Sequence, residues 1–378
     1  MLYGQYIRSI NGLVSMCKIG IVVPSVSGGG SEKSLIGFLE NIPEAFTVRV
    51  YYLSGDFADN TRIKCDLSFV RLPSRSFKSI KVLTLLRLNL IQFRPDVLVA
   101  WSRGPARIVA ILSFILPKCN LVFSCRDFYK LDSSWKDKLY LISLRRFDFI
   151  LSNSKENLAY LQTRVKNNNC QYFHLRNIVR IPYDKDSRVH LSKASTVNVC
   201  LIGRVVHQKG FDIFFDSIRY LRNGTPLNVN IFGDGSMVPE LQKKVKDLST
   251  SVVKVVWNGF VSNVSEELTK MDLVVFPSRH EGYPNVLLEA FAMRVPVISS
   301  DCMTGPKEIV GLENDRGLLF KTESAVDLAE SINYFLTNRE DASHKADIAF
   351  EWLRENFSHE AIRTNYTDVI SRISHKNK

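Results

Sequence analysis

Twice along the chain, a short continuous apolar segment runs directly into a glycine-containing turn and then into a helical stretch. The first copy is CKIGIVVPSVSGGGSEKSLIGFL at 17–39, and the second is VNVCLIGRVVHQKGFDIFFDSI at 197–218. Further apolar segments of strand length follow at 48–54, 96–101, 120–125 and 147–154, and then at 227–233, 253–260, 272–278 and 296–301. Continuous apolar strands separated by helices are typical of parallel sheets covered on both faces. The pattern therefore predicts an α/β protein with two Rossmann-like, doubly wound domains.

The boundary between the two halves is predicted in the polar segment IPYDKDSRVHLSKAST, which has no apolar periodicity. We place an N-terminal domain at 1–190 and a C-terminal domain at 191–355. The last stretch, 356–378, is predicted to be a helix that crosses back to the N-terminal domain after a break at Phe357 and Ser358. Because open parallel sheets bind ligands at the carboxyl ends of their strands, we expect the site in a central cleft faced by both domains.

Charge is divided unevenly between the halves. Residues 1–190 carry 28 Lys and Arg against 14 Asp and Glu, whereas residues 191–378 carry 22 against 24. The densest basic segment, 71–94, has six basic residues, no acidic residue and many apolar ones. Such a segment suits a membrane surface with anionic lipids, or an acidic acceptor. No RNA- or DNA-binding motif accompanies the charge, so nucleic acid is not an expected partner.

Cysteine usage and hydropathy limit the expected compartment. The seven cysteines are scattered, odd in number and without a CxxC pair, which argues for a reducing compartment and against a disulfide frame or zinc cluster. Residues 1–16 lack the apolar core of a secretory signal, and Met16 is an alternative start. The longest apolar run, 108–117, is about half of a membrane span. We therefore expect a cytoplasmic protein, soluble or held peripherally at the inner face of the membrane.

Two glutamates in the stretch SRHEGYPNVLLEA indicate a binding site. Glu281 lies in a loop, and Glu289 lies inside the helix predicted to begin at Pro284. Proline suits a helix start, and the first three backbone N–H groups after it are then available to a phosphate. Glu289, about one turn further on, can accept two hydrogen bonds from a ribose diol. Spacing alone also fits a surface acid and an ordinary helix residue, so the context has to decide.

The same stretch resembles the E-x7-E segment of retaining GT-B glycosyltransferases, in particular glycosyltransferase family 4. Five more segments resemble that family in its order: GGGSEKSL at 28–35, IGRVVHQKGFD at 202–212, IFGDGSMVPEL at 231–241, WNGFVSN at 257–263 and DCMTGPKEIV at 301–310. The matches span almost the whole chain, and those in the C-terminal half are the more specific ones. The resemblance implies two Rossmann-like domains of the GT-B type.

The resemblance also implies sugar transfer from a UDP-sugar with retention at the anomeric carbon. By analogy, Arg204 and Lys209 neutralise the departing diphosphate, and two cations with helix N–H groups can do this without a metal. Glu281 would contact the sugar hydroxyls and stabilise an oxocarbenium-like transition state, and Glu289 would hold the ribose. We therefore expect no metal and no other cofactor.

The other donor-binding residues implied by the resemblance lie in glycine turns and around the helix start. The backbone N–H groups from Gly282 to Val286 would hold the phosphates, and the turns at Gly235 and Phe260 would shape the base pocket. The full set is Gly30, Gly203, Gly235, Phe260, Gly282, Tyr283, Pro284, Asn285, Val286 and Glu289.

In the N-terminal half, Gly29 and Gly30 would let the backbone approach the diphosphate and the acceptor, unless they only form a strand-to-helix turn. The segment FSCRDFYK at 123–130 stands where many family members have a histidine near the reacting centre, so that histidine cannot be carried over. Arg126 could meet an acceptor phosphate and Asp127 could take the acceptor proton. Alternatively, the two could pair with the helix that follows.

One pair of aspartates has the spacing of a metal-binding motif. Asp184 and Asp186 form the Asp-x-Asp pattern of the other glycosyltransferase architecture. They lie in the predicted linker and not at the end of a strand, so no metal site is predicted.

The expected function is transfer of a hexose or N-acetylhexosamine from a UDP-sugar to a saccharide acceptor, in particular a lipid-diphosphate-linked one, in O-antigen, capsule or exopolysaccharide synthesis. A nucleotide-sugar epimerase of the same two-domain fold is an alternative, and it would need no acceptor. A non-catalytic protein that binds polyanions through its basic half is another.

Overall fold

The computed structural model describes residues 17–26, 30–57, 62–73, 77, 79–128, 130–131, 134–179, 196–222, 224–247 and 253–375. The chain divides into two units, of which one is Met1–Ile178 with Ile362–Lys378 and the other is Val179–Ala361. The boundaries predicted from the sequence were 190 and 355. Most of the predicted linker, with Asp184 and Asp186, lies outside the described residues, as do Gly29 and Met16.

The first unit contains a sheet of seven parallel strands. They are β1 Lys18–Val22, β2 Thr47–Tyr52, β3 Asp66–Arg71, β4 Val97–Trp101, β5 Asn120–Cys125, β6 Phe149–Ser152 and β7 Gln171–His174. Their spatial order is β3-β2-β1-β4-β5-β6-β7. In the middle of the sheet, Ile19 of β1 pairs with Val48 of β2 on one side and with Val97 of β4 on the other. All five residues of β4 are buried, as expected for a parallel strand covered on both faces.

The second unit repeats this plan with six parallel strands. They are β8 Val197–Ile202, β9 Leu227–Phe232, β10 Val253–Gly259, β11 Leu273–Phe276, β12 Val297–Ser300 and β13 Leu318–Phe320. Their spatial order is β10-β9-β8-β11-β12-β13. In each sheet the strand order reverses beside the first strand, between β1 and β4 and between β8 and β11. Open parallel sheets bind ligands outside the carboxyl ends of the strands at such a reversal.

Helices connect the strands and cover the sheets. They are α1 Gly30–Glu40, α2 Ile80–Phe93, α3 Arg103–Leu112, α4 Trp135–Leu144, α5 Lys155–Arg164, α6 Phe211–Ser217, α7 Val238–Asp247, α8 Val264–Leu268, α9 Asn285–Ala292, α10 Pro306–Val310, α11 Ala325–Thr337, α12 Arg339–Phe357 and α13 His359–Ser374. The side chains of Ser134, Ser154 and Ser324 cap α4, α5 and α11 by accepting a backbone N–H. Each unit has its own apolar core, around Phe123 in the first and Phe214 in the second.

The last helix returns to the first unit. Ser358 separates α12 from α13, at the break expected from the sequence. On α13, the Asn365 amide donates to the carbonyl of His174 at 2.9 Å and accepts the N–H of Arg176 at 3.1 Å. The Tyr366 hydroxyl donates to the Arg176 carbonyl at 2.8 Å. The end of the chain therefore binds the backbone that leaves the edge strand β7.

The predicted fold class is confirmed, since both units are parallel-sheet, Rossmann-like domains. Every strand expected from the apolar pattern is present. Three further strands, β3, β7 and β13, escape the pattern. Each lies at an edge of its sheet. β3 and β7 are largely half-exposed and include polar residues, and β13 is apolar but only three residues long, so none of them shows the longer apolar run of an interior strand.

Among the described residues, no helix has both the length and the apolar character needed to cross a bilayer.

Candidate functional site

The reversal of strand order between β8 and β11 brings two loops to the same edge of the second sheet. The loop after β8 carries Arg204 and Lys209, and the loop after β11 carries Glu281. These are the charged side chains that the sequence placed around a diphosphate.

Lys209 and Glu281 form an ion pair across these two loops. The Lys209 Nζ lies 2.6 Å from the Glu281 Oε1, and Glu281 is only 8% exposed. The same ammonium lies 5.2 Å from the centroid of the Phe276 ring. Two charges held this closely and largely away from water fix each other's position. The sequence analysis assigned the two residues to separate parts of a ligand and did not predict their contact.

Glycines let the loops after β8 and β9 pack backbone to backbone. A Cβ on Gly233 would lie 1.9 Å from the carbonyl oxygen of Gly203, and both residues have a φ of +141°. A Cβ on Gly235 would lie 2.3 Å from the carbonyl oxygen of Val205. Side chains at these positions are therefore excluded. Gly203 and Gly235, which were predicted to bind nucleotide, position the loop that carries Arg204.

Arg279 ties the two loops together, although the sequence analysis did not select it. Its guanidinium donates to both carboxylate oxygens of Asp212, at 2.8 and 2.7 Å, and to the carbonyl of His207 at 2.6 Å. Its Nε donates to the Glu323 carboxylate at 2.8 Å, and its backbone N–H donates to the Gln208 carbonyl at 2.8 Å. The 3₁₀ turn that contains Lys209 is thus held against the strand end that leads to the glutamate.

Two more side chains, also missed from the sequence, hold the backbone around Glu281. The Gln208 amide donates to the carbonyl of His280 at 2.9 Å and accepts from Arg204 at 3.5 Å. The Thr304 hydroxyl donates to the carbonyl of Glu281 itself. A glutamine and a threonine in loops carry no distinctive sequence signal, so only the three-dimensional contacts reveal their role.

The Asp212–Arg279 pair has shifted pKa values. Burial raises the pKa of Asp212, but the hydrogen bonds and charge of Arg279 outweigh it and leave that pKa below its ordinary value of 3.8. The hydrogen bonds to Asp212 raise the pKa of Arg279 despite its partial burial, and Glu323 raises it further. Both groups are therefore charged at neutral pH.

The helix after Glu281 is α9, which begins at Asn285 with Pro284 as its capping residue. The N–H of Leu287 donates to the Pro284 carbonyl at 3.2 Å, so the expectation that it is available to a phosphate is wrong. The N–H groups of Asn285 and Val286 stand at the N-terminus, where the helix dipole is positive. Glu289 lies half-buried in the second turn.

The loop between Glu281 and α9 rests on the turn at Gly305. A Cβ on Gly305 would lie 2.6 Å from the Cδ of Pro284 and 3.2 Å from the Cα of Tyr283. Gly305 also has a φ of +99°, which favours glycine. Gly282 and the buried Tyr283 are therefore held close to the DCMTGPKEIV segment.

Phe260 lies further from the ion pair. It is 84% exposed and follows β10, which is separated from β8 by β9. Two strand spacings amount to about 10 Å. The carbonyl of Gly259 accepts the N–H of Gly233 at 2.7 Å, so this segment is joined to the turn after β9.

In the first unit, the residues of interest follow β1, β4 and β5. Gly30 opens α1 after β1, and Asp127 is exposed after β5. Ser102 follows β4 with a φ of +95°, a backbone conformation that favours glycine. β1 and β4 flank the reversal in this sheet. The sequence analysis missed Ser102 because serine before a helix is usual.

Arg126 is buried beneath these loops. Its Nε donates to the Ser124 hydroxyl at 2.9 Å, its Nη1 donates to the carbonyl of Leu175 at 3.2 Å, and its guanidinium lies 4.5 Å from the Trp101 ring. Burial lowers its pKa. Its Nη2 has no hydrogen-bond partner among the residues that the structure describes. These contacts join Arg126 to neighbouring strand ends and not to the helix that follows it.

Within the described ranges, no group of three or more His, Cys, Asp or Glu side chains is arranged to hold a metal ion.

Comparison with known proteins gives consistent matches. Residues 183–352 match the family model of Glycosyl transferases group 1. The chain is 24% identical over 364 residues to the amylovoran biosynthesis glycosyltransferase AmsD of Erwinia amylovora, covering 92% of this chain and 94% of that protein. It is 24% identical over 343 residues to the N-acetylgalactosamine-N,N'-diacetylbacillosaminyl-diphospho-undecaprenol 4-alpha-N-acetylgalactosaminyltransferase of Campylobacter jejuni, covering 85% of this chain and 90% of that protein.

A solved structure shows the same fold. Anabaena HepE in complex with UDP and glucose superposes with a TM-score of 0.75 at 18% identity, covering 94% of this chain and 100% of that one. With the family match and the named relatives, the predicted enzyme class is confirmed: the chain is a glycosyltransferase. The retaining mode and the assignment to family 4 stay predictions.

The Asp212–Arg279 contact makes a testable contribution to stability. We expect Asp212→Asn to lower the free energy of unfolding by about 1–3 kcal/mol, because it weakens a bidentate charged hydrogen bond. A carboxylate whose pKa is lower in the folded protein than in the unfolded chain adds its full share of the free energy of unfolding when the pH is above the unfolded pKa. That share is lost only as the pH falls towards the folded pKa. The difference in the free energy of unfolding between the parent protein and Asp212→Asn, measured by urea unfolding, should therefore be equal at pH 7 and pH 5.

Asp368→Asn is the matched control, since it removes an exposed ion pair with Arg372 in which both side chains are more than half exposed. Its expected effect is below about 1 kcal/mol. Equal stability of Asp212→Asn and the parent protein would refute a stabilising role for the contact.

Proposed function

We propose that the protein is a retaining glycosyltransferase that moves a hexose or an N-acetylhexosamine from a UDP-sugar to a saccharide acceptor in surface-polysaccharide synthesis. The observation that carries the proposal is the Lys209–Glu281 ion pair at the carboxyl ends of β8 and β11. UDP and glucose in the HepE structure, and the amylovoran and N-acetylgalactosaminyl names of the relatives, support this choice of donor and pathway.

The donor diphosphate would lie between two cations and the start of α9. The Lys209 ammonium has three N–H donors, so it can keep Glu281 and still donate to a phosphate oxygen. Arg204 is exposed, and within the part of the chain that the structure describes its guanidinium makes one long contact, 3.5 Å to Gln208, so it can turn to the diphosphate. The N-terminus of α9 adds backbone N–H groups and a positive dipole. These three features lie around one edge of the sheet.

The reaction breaks the bond between the anomeric carbon and the β-phosphate oxygen. Positive charge then develops on the sugar, and negative charge develops on the departing UDP. Glu281 stabilises the first charge and Lys209 stabilises the second, from positions fixed before the substrate arrives. The acceptor hydroxyl attacks the face that UDP leaves, and its proton passes to the departing phosphate oxygen. This course retains the anomeric configuration, which NMR of the product measures.

The other predicted donor-binding residues keep their assignments in this proposal. Glu289, half-buried in the second turn of α9, would hold the ribose, while Gly282 to Val286 would hold the phosphates. Phe260, whose ring is exposed, would cover the base. Gly30 and the exposed Asp127 belong to the first unit. Because the acceptor proton passes to the departing phosphate in this course, Asp127 is not needed as the base, and its predicted role stays a prediction.

The acceptor is proposed to be a saccharide linked to a lipid diphosphate. The Campylobacter relative carries a diphospho-undecaprenol acceptor in its name. The basic half of this chain would attract such an anionic acceptor, with 28 Lys and Arg against 14 Asp and Glu in residues 1–190.

Turnover should not depend on a divalent metal. Arg204, Lys209 and the start of α9 supply the positive charge that a metal would otherwise provide to the leaving diphosphate. UDP release should therefore continue at an unchanged rate after dialysis against a chelator. Loss of turnover that added Mg²⁺ or Mn²⁺ restores would contradict this part of the proposal.

Replacing the central cation tests the proposed site. We expect Lys209→Ala to lower UDP release, measured with a UDP-sugar panel and a membrane extract as acceptor, by a factor on the order of 10²–10³. Lys254→Ala is the matched control, because Lys254 is exposed on the edge strand β10 and should tolerate the change. Circular dichroism of both variants checks that they fold, and Lys209→Arg should recover part of the rate.

Two outcomes would overturn the assignment. Unchanged turnover in folded Lys209→Ala would remove this residue from the site. Conversion of the UDP-sugar to its epimer at the same rate with and without acceptor, with no net UDP release, would favour the epimerase, which consumes its donor alone.

A further inference from the structure

Two neighbouring helices of the first unit expose apolar side chains to solvent. We name this surface the α3–α4 patch, and its members are Ile111, Phe114, Ile115, Trp135, Leu139 and Ile142, which are 60, 71, 52, 67, 56 and 55% exposed. A surface helix normally turns its apolar stripe to the core and its charged side chains to water. A contiguous apolar surface therefore indicates a surface that something else covers.

The exposed residues of α4 form one stripe. Trp135, Leu139 and Ile142 recur at intervals of four and three residues, which places them on one face of the helix. The opposite face carries the buried Tyr140 and Leu144. The helix is thus apolar on both faces, and its outer stripe serves no contact within the first unit's core.

Arg146, which follows α4, joins the end of its outer stripe to the turn that follows α3. The guanidinium of Arg146 lies 4.3 Å from the Phe114 ring, and its Nε donates to the Ser113 hydroxyl at 3.3 Å. On the other face of α4, Arg103 pairs with Asp137 and lies 4.4 Å from the Tyr140 ring, so α3 packs there. The apolar end of α3 therefore adjoins the outer stripe of α4.

Basic side chains surround the patch. The exposed ones are Arg107, Lys118, Lys136, Lys138, Arg145 and Arg146. Residues 103–119 include no acidic residue, and α4 includes only Asp137, which is paired with Arg103. Long basic side chains at such a rim can reach anionic groups while their stems pack on apolar surface.

We propose that the α3–α4 patch docks on a bilayer surface that carries anionic lipids. An exposed tryptophan and aliphatic side chains suit the boundary between headgroups and acyl chains, and the basic rim is complementary to lipid phosphates. The proposal does not rest on the sugar transferred, because the patch would bind vesicles without donor or acceptor.

This location differs from the basic segment 71–94 selected from the sequence. Within that segment, α2 buries Val82, Leu86, Leu90 and Phe93 in the core. The exposed apolar side chains of α2, Ile80 and Leu88, stand eight residues apart and form no continuous stripe. In the α3–α4 patch, six exposed apolar side chains lie together with basic ones.

A second copy of the chain is a poorer occupant. In a symmetric dimer the same surface faces itself, so the basic rims of both copies would come together. Like charges at an interface oppose association. An anionic lipid surface provides the opposite charge.

Vesicle co-sedimentation tests the proposal with the full chain. We expect binding to vesicles of equal phosphatidylglycerol and phosphatidylcholine, and much weaker binding to phosphatidylcholine alone. Replacing Trp135, Leu139 and Ile142 together by serine should lower the partition coefficient about tenfold or more. The control replaces Leu312, Val326 and Ile348 by serine, three exposed apolar residues of the second unit, and should bind as the parent does.

Charge variants test the rim separately. Replacing Lys136, Lys138 and Arg145 by glutamine should reduce the preference for anionic vesicles by about fivefold per residue, and added salt should reduce it in the parent protein. Brominated lipids should quench the fluorescence of Trp135, and the quenched component should disappear in Trp135→Phe, which still binds.

Unchanged vesicle binding by the folded triple-serine variant would overturn the proposal. A dimer that the parent protein forms in lipid-free solution and the triple-serine variant does not form would also overturn it. That result would assign the patch to a second copy of the chain.

Discussion

The ion pair between Lys209 and Glu281 is the contact on which the rest of the site depends. The two opposite charges are largely removed from water, so each must stay within contact of the other. If the side chains separated, each would leave an uncompensated buried charge, which destabilises the folded protein. Donor transfer creates the same arrangement of charge, positive on the sugar and negative on the leaving diphosphate. The pair is therefore pre-organised for the proposed reaction, with the acid on one side and the cation on the other.

The surrounding structure explains why the pair can exist. The strand-order reversal between β8 and β11 sets the two loops side by side, and Arg279 joins them through Asp212. Gly203 and Gly233 allow the neighbouring turn to approach at a distance that any side chain would block. In the proposed site, the backbone contacts that stabilise the loops also position Lys209 and Glu281, so most substitutions in these loops should affect both stability and turnover.

Sequence reasoning predicted the fold well because interior parallel strands are apolar on both faces, and β4 or β11 can be recognised from composition alone. The edge strands β3 and β7 were missed because polar residues interrupt their apolar pattern, and β13 was missed because it has only three residues. Glu281 and Lys209 were selected because their segments resemble those of a known family, and the structure brings the two side chains together. Arg279, Asp212 and Thr304 were not, because their importance comes from partners distant in sequence. The prediction that the Leu287 N–H is available to a phosphate was wrong. This N–H donates to the Pro284 carbonyl, and that bond depends on the residue at which the helix begins, which the sequence does not define closely.

The most direct measurement is an experimental structure of the chain with bound UDP. The account predicts the diphosphate at the N-terminus of α9, with a β-phosphate oxygen about 2.7–3.2 Å from the Lys209 Nζ and the carboxylate of Glu281 still beside it. UDP bound elsewhere on the chain, or bound without contact to Lys209 and α9, would contradict the account.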